Sequence, residues 1–128
     1  MACVIGLNPS KADETTDDAT NRRLMGLLSA QGFLGYWLVN LLPEVQPDPT
    51  QVQFARRRLS AKNRHAIQEA MAVSHTTIVA WGHLGARIPF RHQVLALADE
   101  TWCFGVTAGG EPRHPLYLPN HSALSRYT

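Results

Sequence analysis

A chain of 128 residues, 45% apolar and 17% charged, suits one domain that buries about two-thirds of the surface its unfolded form exposes. No run approaches the ~20 apolar residues that cross a bilayer, and Met1-Ala2-Cys3-Val4-Ile5-Gly6-Leu7 lacks the basic start and length of a signal peptide. A single cytoplasmic domain over 1–128 with no membrane partner is therefore expected. The formal charge of +2 says little about partners, but its distribution is uneven. Residues 11 to 18 hold four acids against one lysine, whereas Arg56, Arg57, Arg58, Lys62 and Arg64 share a stretch without an acid.

Four short apolar runs predict strands at Cys3 to Leu7, Tyr36 to Leu41, Thr76 to Trp81 and Trp102 to Thr107. They do not alternate cleanly, as expected of parallel strands covered on both faces. Between the first two, Ala19 to Gln31 reads as a helix with Leu24, Leu27, Leu28 and Met25 as its apolar content. Asp17, Asp18 or Thr20 would cap it and Gly32 would end it. A loop with three prolines, Pro43 to Pro49, precedes a helical region within Gln51 to Ser74, where Ile67, Ala70, Met71 and Ser74 fall near one face. The pattern leaves open whether that region breaks around Ser60 to Asn63. Arg91 to Glu100 supplies a third crossover. Gly109-Gly110 predicts a hairpin turn, with Pro112 to Leu118 returning as an edge strand. Strand, helix and strand in succession place helices on both faces of a mostly parallel sheet.

Cys3 and Cys103 are the only cysteines, both in apolar runs, and are expected as buried free thiols; their spacing is not that of a metal knuckle. The dinucleotide loop, the phosphate loop and the hydrolase nucleophile elbow are all absent, and no cofactor or metal is expected.

In an open parallel sheet, ligands bind beyond the carboxyl ends of the strands. That rule gathers Asn8-Pro9-Ser10, Asn40 to Pro43, Gly82-His83 and the segment around His114. Asn8 either positions a water or ligand oxygen, held by Pro9, or closes an Asx-turn. Asn40 ends an apolar run, so its amide needs a backbone or ligand partner, and its donor and acceptor suit a nucleobase edge. Tyr36 and Trp37 are possible stacking surfaces, although core packing is expected of Trp37. Asp13, Glu14, Asp17 and Asp18 either cap and solvate the first helix or supply a metal ligand or general base. In Arg113-His114-Pro115, His114 can donate to a developing anion or exchange a proton, and Arg113 can meet a phosphate or carboxylate; a plain surface loop is the alternative. Tyr117 and His121 lie near that loop. The basic segment at 56 to 64 is either a solvated helix face or a contact for phosphates.

The run Ile5-Gly6-Leu7-Asn8-Pro9-Ser10-Lys11-Ala12-Asp13, followed by Thr16-Asp17-Asp18-Ala19-Thr20-Asn21-Arg22-Arg23, resembles the signature of DUF1643, a bacterial and phage family. So do Val39-Asn40-Leu41, Ala80-Trp81-Gly82 and Gly110-Glu111-Pro112-Arg113-His114-Pro115-Leu116-Tyr117-Leu118-Pro119. Members usually carry residues before the first strand, so an edge element or part of the site wall is expected to lie outside this sequence. That family is similar to the uracil-DNA glycosylase superfamily. The similarity implies a three-layer α/β/α fold with a four-stranded parallel sheet in the order 2-1-3-4. It also implies that Asn8 positions the attacking water, as in the superfamily's Gly-x-Asn-Pro-Gly motif, which Gly6-Leu7-Asn8-Pro9-Ser10 matches except at Ser10. Asn40 would read the pyrimidine edge and His114 would stabilise the departing base, although Leu116 replaces the serine of a His-Pro-Ser motif. The implied activity is hydrolysis of the N-glycosidic bond of uracil or a modified pyrimidine, with DNA or a nucleotide as partner. Asn8, Asp13, Asp18 and His114 would be catalytic. Pro9, Ser10, Asn40, Gly82, Arg113 and Tyr117 would contact substrate, and Arg56, Arg57, Arg58, Lys62 and Arg64 the nucleic-acid backbone. The alternatives are a non-catalytic nucleotide or nucleobase binder and a metal-assisted nucleotide-processing enzyme using Asp13 and Asp18.

Overall fold

The computed structural model describes residues 1–8, 14–43 and 56–128, with side chains in the first helix described from residue 19. Strand β1 (Ala2–Gly6) leads to α1 (Glu14–Ala30), β2 (Tyr36–Asn40), α2 (Ala61–Ala72) and β3 (Thr76–Val79). A 3-10 turn (His83–Arg87), α3 (Arg91–Leu95), β4 (Trp102–Cys103), a second 3-10 turn (Pro115–Tyr117) and β5 (Ser125–Arg126) follow. The result is an α/β fold with a mixed sheet of five strands in the order β2-β1-β3-β4-β5. The first three pairings are parallel and the β4–β5 pairing is antiparallel.

Strict side-chain alternation along buried strands divides the core in two. Ala2, Val4, Ile78 and Ala80 pack with Leu24, Leu27 and Leu28 of α1. Cys3, Ile5, Val79 and Trp81 pack on the other face with Ile67 of α2 and Val94 of α3. Helices thus cover both faces, which explains why β1 and β3 are apolar at successive positions. Both cysteines are buried and free.

Several boundaries differ from expectation. The first helix begins at Glu14 rather than Ala19, so Asp17, Asp18 and Thr20 lie inside it and none is its cap. Its first turns carry no apolar residue to reveal a helical period, while acids there suit the helix dipole. Met25 is exposed rather than part of the apolar side. The C-terminal signal was legible: Gly32 adopts φ +89°, and the Gly32 and Phe33 amides donate to the Ser29 and Leu28 carbonyls, both at 3.0 Å.

The second helical region is resolved at Ser60, whose Oγ accepts from the Asn63 amide at 3.1 Å and caps α2. Of the proline loop and the stretch before α2, residues 44–55 lie outside the described residues. Trp37 is not a core residue: it is 51% exposed because β2 is the sheet edge. The predicted return strand at Pro112 to Leu118 is also absent. The Gly109-Gly110 turn forms, with the Gly110 amide donating to the Thr107 carbonyl at 2.9 Å, but the return makes only an isolated Val106–Pro112 bridge. Pro112 and Pro115, inside that span, lack the amide protons a ladder needs. The edge is formed instead by Ser125–Arg126 against β4.

Candidate functional site

Parallel register brings the first two strands to a common end. Gly6 pairs with Asn40, and the chain beyond stays in step as the Leu41 amide donates to the Gly6 carbonyl at 2.9 Å. On the other side the Ala80 amide donates to the Ile5 carbonyl at 2.8 Å. Asn40 folds across the end of β1: a Cβ on Gly6 would stand 2.7 Å from Asn40 Oδ1. Only glycine leaves that amide its position. Behind it, buried Asn63 donates through Nδ2 to the Asn40 and Leu41 carbonyls at 3.0 and 3.1 Å, anchoring the start of α2 to the end of β2.

After β3 the chain turns at Gly82, φ +77°, whose amide donates to the Pro112 carbonyl at 2.9 Å. A Cβ there would approach His114 Cβ to 3.3 Å, so glycine is favoured by both backbone and space. His114 precedes the Pro115–Tyr117 turn, and its Nδ1 accepts from the Leu116 amide at 3.2 Å. That bond makes Nε2 the protonated nitrogen of the neutral ring. Burial lowers the pKa of His114 and favours this neutral form. Its ring lies 5.8 Å from that of exposed Tyr117 at a tilt of 53°.

These elements enclose a cleft of about 440 Å³ at the carboxyl end of the sheet. Asn8, Thr20, Asn40, His83, His114 and Tyr117 supply its polar groups, and Val4, Leu24, Leu38, Leu84 and Leu116 much of its apolar wall. Among the described residues, no Asp, Glu, Lys or Arg lines it. Its described polar groups are amides, imidazoles and hydroxyls set in an apolar wall, which suits recognition by a few placed hydrogen bonds.

Of the residues predicted from sequence, Asn8, Asn40, Gly82, His114 and Tyr117 come together here. Arg113 does not: it braces the loop, its Nη2 donating to the Tyr117 carbonyl at 2.7 Å. Pro9, Ser10 and Asp13 lie outside the described residues, and Asp18 is placed only as a backbone position in α1. Arg56, Arg58, Lys62 and Arg64 are exposed and Arg57 half-buried, and none lines the cleft. Lys62 and Arg64 nevertheless flank Asn63, beside the end of β2. Among the described residues, no group of three or more His, Cys, Asp or Glu is arranged to hold a metal, and no helix is long and apolar enough to cross a membrane.

Sequence reasoning missed the support behind the cleft. Trp81 Nε1 donates to Glu111 Oε1 at 2.9 Å, and Arg91 donates to Oε1 at 2.9 Å and to Oε2 at 3.3 Å. Trp81 also meets Tyr127 edge-on, with ring centroids 6.4 Å apart. Gly85 is obligatory beside it, since a Cβ would fall 1.9 Å from Trp81 Cδ1. The available signal was Glu111 itself, the one acid in residues 101 to 128. A buried carboxylate needs a partner, and Arg91 supplies it.

No curated protein and no solved structure matches the chain. One family does, over residues 1–116, under the description "Protein of unknown function (DUF1643)". With Gly6, Asn40, Gly82 and His114 all inside the matched span, the chain belongs to the DUF1643 family.

Proposed function

We propose that the cleft holds a uracil or modified pyrimidine and that the protein hydrolyses the N-glycosidic bond joining it to deoxyribose. The observation carrying this reading is that Asn8, Asn40 and His114, which are distant in sequence, line one cleft without a described charged side chain. The similarity of Gly6-Leu7-Asn8-Pro9 to the first motif of the uracil-DNA glycosylase superfamily supports it, as does the parallel part of the sheet running β2-β1-β3-β4.

In this reading Asn40 donates to and accepts from the pyrimidine edge. Asn8 accepts a hydrogen bond from a water and aims its oxygen at the sugar C1′. The C1′–N bond breaks, its electron pair leaves with the base, and the water oxygen bonds to C1′ as its proton passes to solvent. The amide of Asn8 is a feeble base, so bond breaking must run ahead of attack. The Nε2–H of His114 then matters most, because a neutral donor in a low-dielectric cleft stabilises charge growing on the leaving base. The base must stand outside the duplex to enter, and the 56–64 segment flanking the end of β2 would meet backbone phosphates.

A second reading, nucleobase binding without hydrolysis, is favoured by the polar groups that line the cleft: the Asn8 and Asn40 amides are feeble bases, and His114 Nδ1 already accepts from the Leu116 amide. Oligonucleotides carrying uracil, mismatched thymine or modified pyrimidines separate the two when scored for abasic sites. Hydrolysis predicts sites with the wild type and at least ~100-fold fewer with Asn8→Ala, given general acid–base or positioning effects of that order. Saturable binding with no base release selects the second reading. No Asn40-dependent binding to any of these probes defeats both.

A further inference from the structure

A second concavity, about 410 Å³, opens along α1 next to the cleft. The two lie against adjacent faces of that helix. Thr20 and Leu24 line the cleft, while Ala19, Arg22, Arg23, Gly26 and Leu27 line the second concavity. The same tail segment borders both, through Tyr117 on one side and Asn120 on the other. Among the described residues, the second concavity has two arginines and no acid. Arg23 is held in place: its Nη1 donates to the Leu118 carbonyl at 2.9 Å and to Asn120 Oδ1. A guanidinium has five donor protons, and Nη1 contributes only two of them. An arginine fixed by its neighbours loses less entropy when it binds an anion. Arg22 is exposed beside it, and at Gly26 an added Cβ would meet nothing within 4 Å, so the floor between the arginines is open.

We propose that this concavity is a phosphate subsite for the strand that presents its base to the cleft, with Arg22 and Arg23 as the anion contacts and Asn120 as the support of Arg23. The inference rests on the reading of the cleft as a nucleobase site and gives the strand a phosphate contact beside that cleft, in addition to the 56–64 segment. The adjoining concavity has two arginines to meet a phosphate, so base and backbone are recognised at adjacent faces of α1.

Gly26 provides the test. Gly26→Asp places a carboxylate on the floor, four residues after Arg22, where space is open and helix propensity does not oppose it; Gly26→Asn is the uncharged control. A base-free tetranucleotide of tetrahydrofuran sites reports the phosphate subsite alone, and deoxyuridine reports the cleft alone. With the tetranucleotide, Gly26→Asp and Arg22→Ala should each weaken binding about tenfold, and Arg22→Ala should reduce the salt slope by about one. Gly26→Asn should bind as the wild type does. Equal affinity of the tetranucleotide for wild type and Gly26→Asp overturns the subsite and assigns its phosphates to another surface, such as the 56–64 segment. Deoxyuridine that fails to bind while the tetranucleotide keeps its Gly26 dependence defeats the cleft reading instead, and with it the coupling of the two sites. A mononucleotide that gains as much over deoxyuridine as a strand does, with the same Gly26 dependence, supports the phosphate contact but overturns the strand as its source.

Discussion

Asn40 illustrates how one backbone position decides a side chain's use. Its identity as a polar residue closing an apolar run was readable, but its direction depends on the absence of a Cβ at Gly6, across a strand pair 34 residues apart. Gly6→Ala should therefore displace the amide with little loss of stability, since the end of the Asn40 side chain can swing aside, while lowering pyrimidine affinity by at least about tenfold. Urea unfolding and probe titration measure the two effects, and affinity preserved in a folded Gly6→Ala protein would remove Asn40 from the site. His114 carries a pH dependence of definite sign. Its folded pKa lies below the ordinary value of 6.5 through burial, so the unfolded chain takes up a proton before the native one does. The associated stability is complete above pH 6.5 and is lost as pH falls toward the folded pKa. Wild type should lose more stability between pH 7 and pH 5 than His114→Gln, and parallel urea midpoints for the two would contradict this.

The loop from Gly105 to Pro115 reaches the cleft as a braced element. Its ties are the Arg113 amide to the Gly105 carbonyl at 2.9 Å, the Gly82 amide to Pro112, and the Glu111 carboxylate to Trp81 and Arg91. The Arg91–Glu111 pair is largely shielded, with side chains 15% and 9% exposed. Glu111→Ala leaves Arg91 without its partner and should cost about 3–5 kcal/mol in unfolding free energy. Glu111→Gln, which keeps an acceptor for Trp81, should cost less; equal losses would mean that charge pairing with Arg91 carries the whole effect and the acceptor for Trp81 contributes nothing. At the start of α2, Ser60→Ala should cost about 1 kcal/mol by loss of its cap. The helix ends show what local chemistry reveals. Gly32 was readable as a stop because a left-handed residue is needed there, whereas the start at Glu14 had no apolar period to mark it. The return strand failed for a reason present in the chain, two prolines within its span, but where the edge would form instead depended on which later segment could reach β4.

Across the molecule, the central strand makes thiol chemistry a reporter of global unfolding. Burial pushes the Cys3 thiol up to about 12, and Cys103 is also buried. In native protein at pH 8, a thiol reagent should modify Cys3 only as fast as the sheet opens, with the rate rising with urea in step with unfolding; rapid labelling without denaturant would contradict a closed core. The α/β class, helices on both sheet faces, strand-end placement of Asn8 and Asn40, and the meeting of Gly82 with the His114 loop were all legible from the sequence. Buried strands must be apolar at successive positions, and parallel topology sends their ends to one side. Trp37 reads as core in any local window, yet it lies on an edge strand. Arg113 reads as an anion contact, and its Nη2 ties its own loop at the Tyr117 carbonyl. Glu111 and Asn63 carried no role in the sequence reading, yet they hold Trp81 and the end of β2. Periodicity and turn chemistry act over a few residues and were set by the sequence alone. The partners of a buried polar group come from distant segments, so only the tertiary structure decided which polar residues form the cleft and which support it.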